Sequence, residues 1–206
     1  MPMTFPAHQG LILPVARRWP NSFDALALSV GAAMPDIIDT ALGFSINGYF
    51  KQWYGHSLLG IFTLDFLGGL LITWLLATAA GRFWKVRGLP ARWQAFVKKM
   101  PANSYADGSQ VSLRLWGFSV FVGILSHIIF DLISHTTNLL FYPWYENVHW
   151  LPGWWYQAWS GIPPLNIFGH FYVVGVHSLS WGLLTLIGIF LFFQYFAQQE
   201  VETEHK

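Results

Sequence analysis

The stretch from Ser126 to His135 closes a long apolar run, yet it carries three side chains able to bind a metal ion: His127, Asp131 and His135. At about 100° per residue these three lie close together on one helical face. Imidazole and carboxylate suit zinc, and other divalent ions as well. His-x-x-x-Asp puts two ligands on successive turns, as the helical His-Glu-x-x-His motif does. Hydrocarbon is a poor place for such groups unless they are paired, wet or coordinated. The spacing alone is a weak signal, and its strength comes from further donors. His8, Asp36 and His56 lie upstream, and Asp39, Asp65, His170 and His177 are additional possibilities. Each also has a plainer reading. Asp65 is expected to make an interhelical hydrogen bond, with Thr63, Ser119 or a histidine as partner. His149 and His205 are expected to be solvated, and His170 stands between a rim residue and a ligand.

The elements that must position these groups are membrane helices. Of 206 residues, 54% are hydrophobic and only 10% charged, against roughly 25% charged in soluble domains. The composition describes one all-α, polytopic membrane domain over residues 1–206. No cysteine is present, which removes thiol chemistry, disulfides, iron–sulfur clusters and cysteine-type zinc sites. A net charge of +1 gives no reason to expect a nucleic-acid partner. The first residues show neither a signal peptide nor a lipidation box.

A short helix is expected from Thr4 and Pro6 to Arg17-Arg18, with Thr4 as its cap. It is too short to span a bilayer and reads as re-entrant or interfacial. A first span runs from Ser22 to about Ser45, kinked at Pro35, with Asp36 and Asp39 near one another on a face. Asn47-Gly48 marks a turn. A second span covers 57–80 and contains Asp65. A polar connector follows over 81–111, in which Ala91–Met100 could be a surface helix. The next span covers 112–135. After it, Asn138 to Ser160 is dense in tryptophan and tyrosine, as a segment lying in the membrane interface would be. A last span covers 170–196. The architecture expected is a bundle of about four transmembrane helices, plus the short N-terminal helix and the aromatic segment.

Six of the eleven Lys and Arg residues fall in the 81–111 connector, which the positive-inside rule places in the cytoplasm. The aromatic segment then lies outside and the C-terminus inside, in an inner (plasma) membrane. At ~1.5 Å per residue, His127 stands roughly 22 Å above the inner end of its helix and Asp36 roughly 21 Å above its own. His177 comes about 10 Å below the outer surface by the same rise. His56, His135 and His170 fall at the outer rim. The intramembrane donors thus collect in the outer half.

In order along the chain come an early His8 followed by Leu13-Pro14, then Pro35-Asp36, then His56-Ser-Leu-Leu-Gly60 with Asp65 downstream. Ser126-His127 through His135-Thr136 and a final His177-Ser178 complete the set. This set resembles the DUF4184 family, bacterial multi-pass membrane proteins of unknown function. A more distant resemblance is to membrane-bound metal-dependent hydrolases, and beyond them to zinc-dependent phospholipase C and P1 nuclease. That likeness implies a helical bundle around zinc. His8, Asp36, His56, His127, Asp131 and His135 would be the ligands, with Asp131 bridging two ions. A His-x-x-x-Glu pair that completes a third site in the soluble enzymes has no counterpart here, so one or two ions are implied rather than three.

On these grounds the expected function is metal-dependent hydrolysis of a phosphoester or similar bond in a membrane lipid or lipid-like substrate. Asp36 and His56 are the candidate catalytic residues. Two alternatives stand beside it. The cluster could handle ions or protons, or simply hold the bundle together. It could also be a haem site with His127 and His177 as axial ligands.

Overall fold

The computed structural model describes residues 5–45, 54–83, 113–136, 138–144, 148–167 and 170–204. The expected cap Thr4, the turn at Asn47-Gly48, most of the basic connector with its surface helix, and His205 lie outside the described residues.

The chain is an all-α membrane bundle. Among the described residues three helices are long and apolar enough to cross a bilayer: Leu58–Ala79, Leu113–Ser134 and Val176–Ala197. Two shorter helices, α2 (Ala25–Gly31) and α3 (Met34–Ser45), would make a fourth span if taken together. They meet at a bend of 41°. The bend has a local cause. Pro35 has no N–H to continue the ladder, so the helix breaks where a kink is expected. The first of the pair begins later than Ser22. Asp24 caps it, its Oδ1 accepting from Ala27 N at 2.8 Å, while its own N–H donates to Ser119 Oγ at 2.9 Å.

The second span is not one uniform helix. It runs as α4 (Leu58–Gly60), a π-helical turn (Ile61–Asp65) and α5 (Phe66–Phe83). Ser57 caps its start, accepting from Gly60 N at 3.1 Å. Thr63 bonds back to the Leu59 carbonyl and also meets Tyr54 Oη at 2.7 Å. That leaves its hydroxyl proton unavailable to Asp65, and Ser119 Oγ lies instead against Asp24 N, from which it accepts. The expected partner of Asp65 is therefore not found: both its oxygens are buried without a hydrogen bond among the described residues.

The span α6 (Leu113–Ser134) is central, with 56% of its apolar window buried. Val120, Ile124, Ile128 and Leu132 pack there with Ala27, Val30, Met34 and Ile61. The aromatic segment folds back over its C-terminal end. In α7 (Gly153–Tyr156), Tyr156 Oη donates to the Leu132 carbonyl at 2.7 Å and Trp155 Nε1 to that of Ile133 at 2.8 Å. These carbonyls have no further helix turn to receive their bonds, so the aromatic segment caps α6. His149 shares in this, stacked on Tyr156 with its Nε2 on the Thr136 carbonyl at 3.0 Å.

The last span starts later than expected. His170–Tyr172 is a strand, β2, paired antiparallel with β1 (Leu165–Ile167) in the register Ile167 to His170 and Leu165 to Tyr172. The helix α8 (Val176–Glu204) follows. The β-branched and aromatic side chains of these two short runs favour the extended pairing. Only 11% of the apolar window of α8 is buried, so it stands at the periphery. One face of it is covered by α1 (Ala7–Arg18), the short N-terminal helix. The two approach backbone to backbone: a Cβ at Gly10 would run into the Gly188 carbonyl, and one at Gly188 into that of Ala7.

Candidate metal centre

The beginning of α4 and the end of α6 meet, and α1 and α3 reach the same place. His56 lies just before α4, His127 and Asp131 in the last turns of α6, Asp36 in the first turn of α3, and His8 in the first turn of α1. His135 follows α6 directly, its N–H still bonded to the Asp131 carbonyl at 2.8 Å.

Asp36, His56 and His127 offer three atoms close enough to share an ion, and Asp131 Oδ2 lies beside both of these histidines. His56 Nε2 is 3.1 Å from His127 Nε2, 3.0 Å from Asp131 Oδ2 and 3.8 Å from Asp36 Oδ1. His127 Nε2 is 3.3 Å from Asp131 Oδ2 and 3.9 Å from Asp36 Oδ1. An ion held tetrahedrally at ~2.1 Å spaces its ligands about 3.4 Å apart. The observed separations straddle that value.

Hydrogen bonding fixes which ring nitrogens are free. His127 Nδ1 lies 2.8 Å from the Ala32 carbonyl, which can only accept, so the proton is on Nδ1 and Nε2 carries a lone pair. The bend between α2 and α3 delivers that carbonyl. His56 Nδ1 lies 2.7 Å from Asp39 Oδ2, while Asp39 Oδ1 accepts from Gly55 N at 2.7 Å. Asp39 is fully buried and holds the His56 ring from behind. A carboxylate behind a ligating imidazole is the usual outer partner of a metal site. With both Nδ1 atoms bound, two imidazole lone pairs and two carboxylate oxygens converge. They need a positive charge among them, either a proton or a cation. Burial works against charge on His56, but its hydrogen bonds to the Asp131 and Asp39 carboxylates outweigh it and hold its pKa well above the ordinary value.

A second, looser group surrounds the other oxygen of Asp131. Oδ1 is buried with no hydrogen bond, 3.5 Å from His8 Nε2 and 3.4 Å from His135 Nδ1. The His8 ring stacks on His127 at 3.9 Å. Burial lowers the pKa of both His8 and His135, which keeps them neutral and able to ligate. The two oxygens of Asp131 thus face two different histidine pairs. The side chains of His56, Asp36 and His135 are 15%, 19% and 30% exposed, against 2% for His8 and 1% for His127. The centre is reached from the side those three form.

The structure brings together His8, Asp36, His56, His127, Asp131 and His135, with Asp39 behind His56. Other candidates fall elsewhere. His177 is buried against the backbone of Trp155 and, like His135, falls outside the groups whose ligand atoms all lie within 4.8 Å of one another, but unlike His135 it makes no contact with Asp131. His170 is placed by its backbone in β2, and its side chain lies outside the described residues. Nor do His127 and His177 frame a haem, because His56 Nε2 already occupies the space in front of His127 Nε2. Sequence reasoning has no means to find the Ala32 carbonyl, although Pro35 three residues on is a sign that the helix there breaks.

A family model described as "Domain of unknown function (DUF4184)" matches residues 1–200. The chain belongs to that family. No curated protein and no solved structure matches it, and the likeness to hydrolases rests on the motif order alone.

Proposed function

We propose that this DUF4184 protein is a metal-dependent hydrolase within the membrane, acting on a phosphoester or similar bond of a lipid-like substrate. The observation that carries this reading is the convergence of four lone-pair donors with both imidazole Nδ1 atoms tied off. His56, His127, Asp131 Oδ2 and Asp36 would hold one divalent ion, zinc first among candidates. His8, His135 and Asp131 Oδ1 would hold a second. An ion there supplies Lewis acidity toward water and toward the oxygens of the substrate. Asp36, at the exposed edge, would take a proton from water entering the centre. Asp39 keeps the His56 ring turned so that Nε2 points inward. The aromatic segment covers the end of α6 and limits access to one side. We place the centre in the outer half of a bacterial inner membrane, with the C-terminus cytoplasmic, from the basic connector.

The competing reading is a centre that holds or passes a proton, and the contacts of both His56 ring nitrogens with carboxylates, Asp39 at 2.7 Å and Asp131 at 3.0 Å, favour it. Elemental analysis of the purified full-length protein separates the two. The hydrolase reading expects one or two equivalents of zinc or another divalent ion, lost in Asp131→Asn, and metal-dependent cleavage of phosphodiester lipids in mixed micelles. Wild-type protein that retains no metal, even after incubation with zinc, overturns it.

A further inference from the structure

Beside the centre, on the bilayer-facing side, lies an apolar groove of about 300 Å³ lined by Leu58, Leu59, Phe62, Phe141, Tyr142 and Trp144. The geometry points to this groove as the seat of one acyl chain of a bilayer lipid whose headgroup lies at the His/Asp centre. The inference rests on the proposed hydrolase reading and names the class of substrate: a lipid held by its chain as well as its head.

Its construction is local. Ser57 caps α4, so the chain turns sharply from His56, which points inward, to Leu58 and Leu59, which point out. Leu59 is 45% and Phe62 66% exposed, one helical turn apart on the lipid-facing side of a span of which 28% is buried. The opposite wall, Phe141 to Trp144, is pinned to the start of that span. Leu58 N donates to the Leu140 carbonyl at 2.8 Å, and the Tyr54 and Tyr142 rings meet at 6.3 Å. The groove is therefore continuous with the surface that hydrocarbon must cover, and it ends two residues from a proposed ligand. An acyl chain already in the bilayer enters it without crossing water, as an apolar occupant of an apolar wall should.

Charge favours a lipid of this kind. Residues 115–205 contain no Lys or Arg. No Lys or Arg of the aromatic segment or α8 therefore grips an anionic headgroup, which leaves its hold to the His/Asp centre and to the chain end.

The test uses full-length protein in nanodiscs of phosphatidylglycerol doped with a phosphatidylglycerol bearing a diazirine on one acyl chain. Photolysis and peptide mapping should show label on Leu58–Phe62 and Phe141–Trp144 several-fold above that on Leu183, Leu186 and Phe190, which are as exposed on α8. Leu59→Trp, which fills the groove, should abolish the enrichment at Phe141–Trp144 while metal content stays at the wild-type value. Phe141→Ala, which removes one wall, should lower it. Label spread evenly over α5 and α8, or unchanged by Leu59→Trp, overturns the inference. Metal content read on the same samples distinguishes this failure from that of the hydrolase reading: enriched label on metal-free protein keeps the groove and removes the hydrolase.

Discussion

Two aspartates sit buried in apolar helices of this protein, and their surroundings are opposite. Asp131 has four histidines around its two oxygens, the nearest at 3.0 Å. Asp65, in the π-helical turn, accepts no hydrogen bond on either oxygen among the described residues. From sequence each is the single acid of a long apolar run, though Asp131 alone has a histidine four residues to either side. The difference shows that burial of a carboxylate does not make a site. What makes one is the meeting of helix ends. Asp131 lies where α6 finishes, α4 begins and α1 and α3 arrive, whereas Asp65 lies two turns into a span.

The sharpest way to break the comparison is to remove each acid in turn. Asp131→Leu should lose all retained metal and destabilise the protein by about 3–5 kcal/mol, because removing one member of a buried charged group strands the rest. Asp65→Leu should keep its metal and be at least as stable as wild type in thermal unfolding in detergent, since it removes an unpartnered polar group. Equal metal loss in both would erase the distinction. Next in size is Gly188→Ala. The added methyl displaces the first turn of α1 and with it His8. Metal content should fall by the share held at Asp131 Oδ1, with the site of His56 and His127 still filled. Asp39→Asn should act on affinity alone: the site fills at saturating metal, but the dissociation constant read by competition with a chelator rises about 10–100-fold. The smallest effect is expected from Tyr156→Phe. It loses one hydrogen bond to the end of α6, about 1 kcal/mol of stability, with metal content unchanged.

Much of the bundle is legible in the sequence because long apolar runs have few alternatives to a membrane helix. The face shared by His127 and Asp131 follows from helical periodicity, and the break near Pro35 from the missing N–H. Other features depend on contacts distant in the chain, which periodicity does not encode. Asp39 counts among possible ligands by its spacing from Asp36, yet in the fold Gly55 and His56 approach from 16 and 17 residues away and make it the support of a ring. Asp65 lacks its expected partner because the Thr63 hydroxyl bonds back to the Leu59 carbonyl, four residues earlier on its own helix. The strand at His170 is hidden because its aromatic run is equally consistent with the beginning of an apolar helix. His8 is the hardest to read. Nothing near it in sequence announces a site, and its place depends on the close approach of Gly10 to Gly188.

That last approach bears on how the protein is made. The earliest histidine of the chain sits on a helix backed by one that leaves the ribosome long after it. Until α8 has been released into the bilayer, α1 lacks the helix that covers one of its faces, and the stacking of His8 on His127 is backed from one side fewer. Closure around Asp131 Oδ1 is thereby deferred until α8 is in place, and a chain cut short before Gly188 carries the motifs of the centre without its closed form.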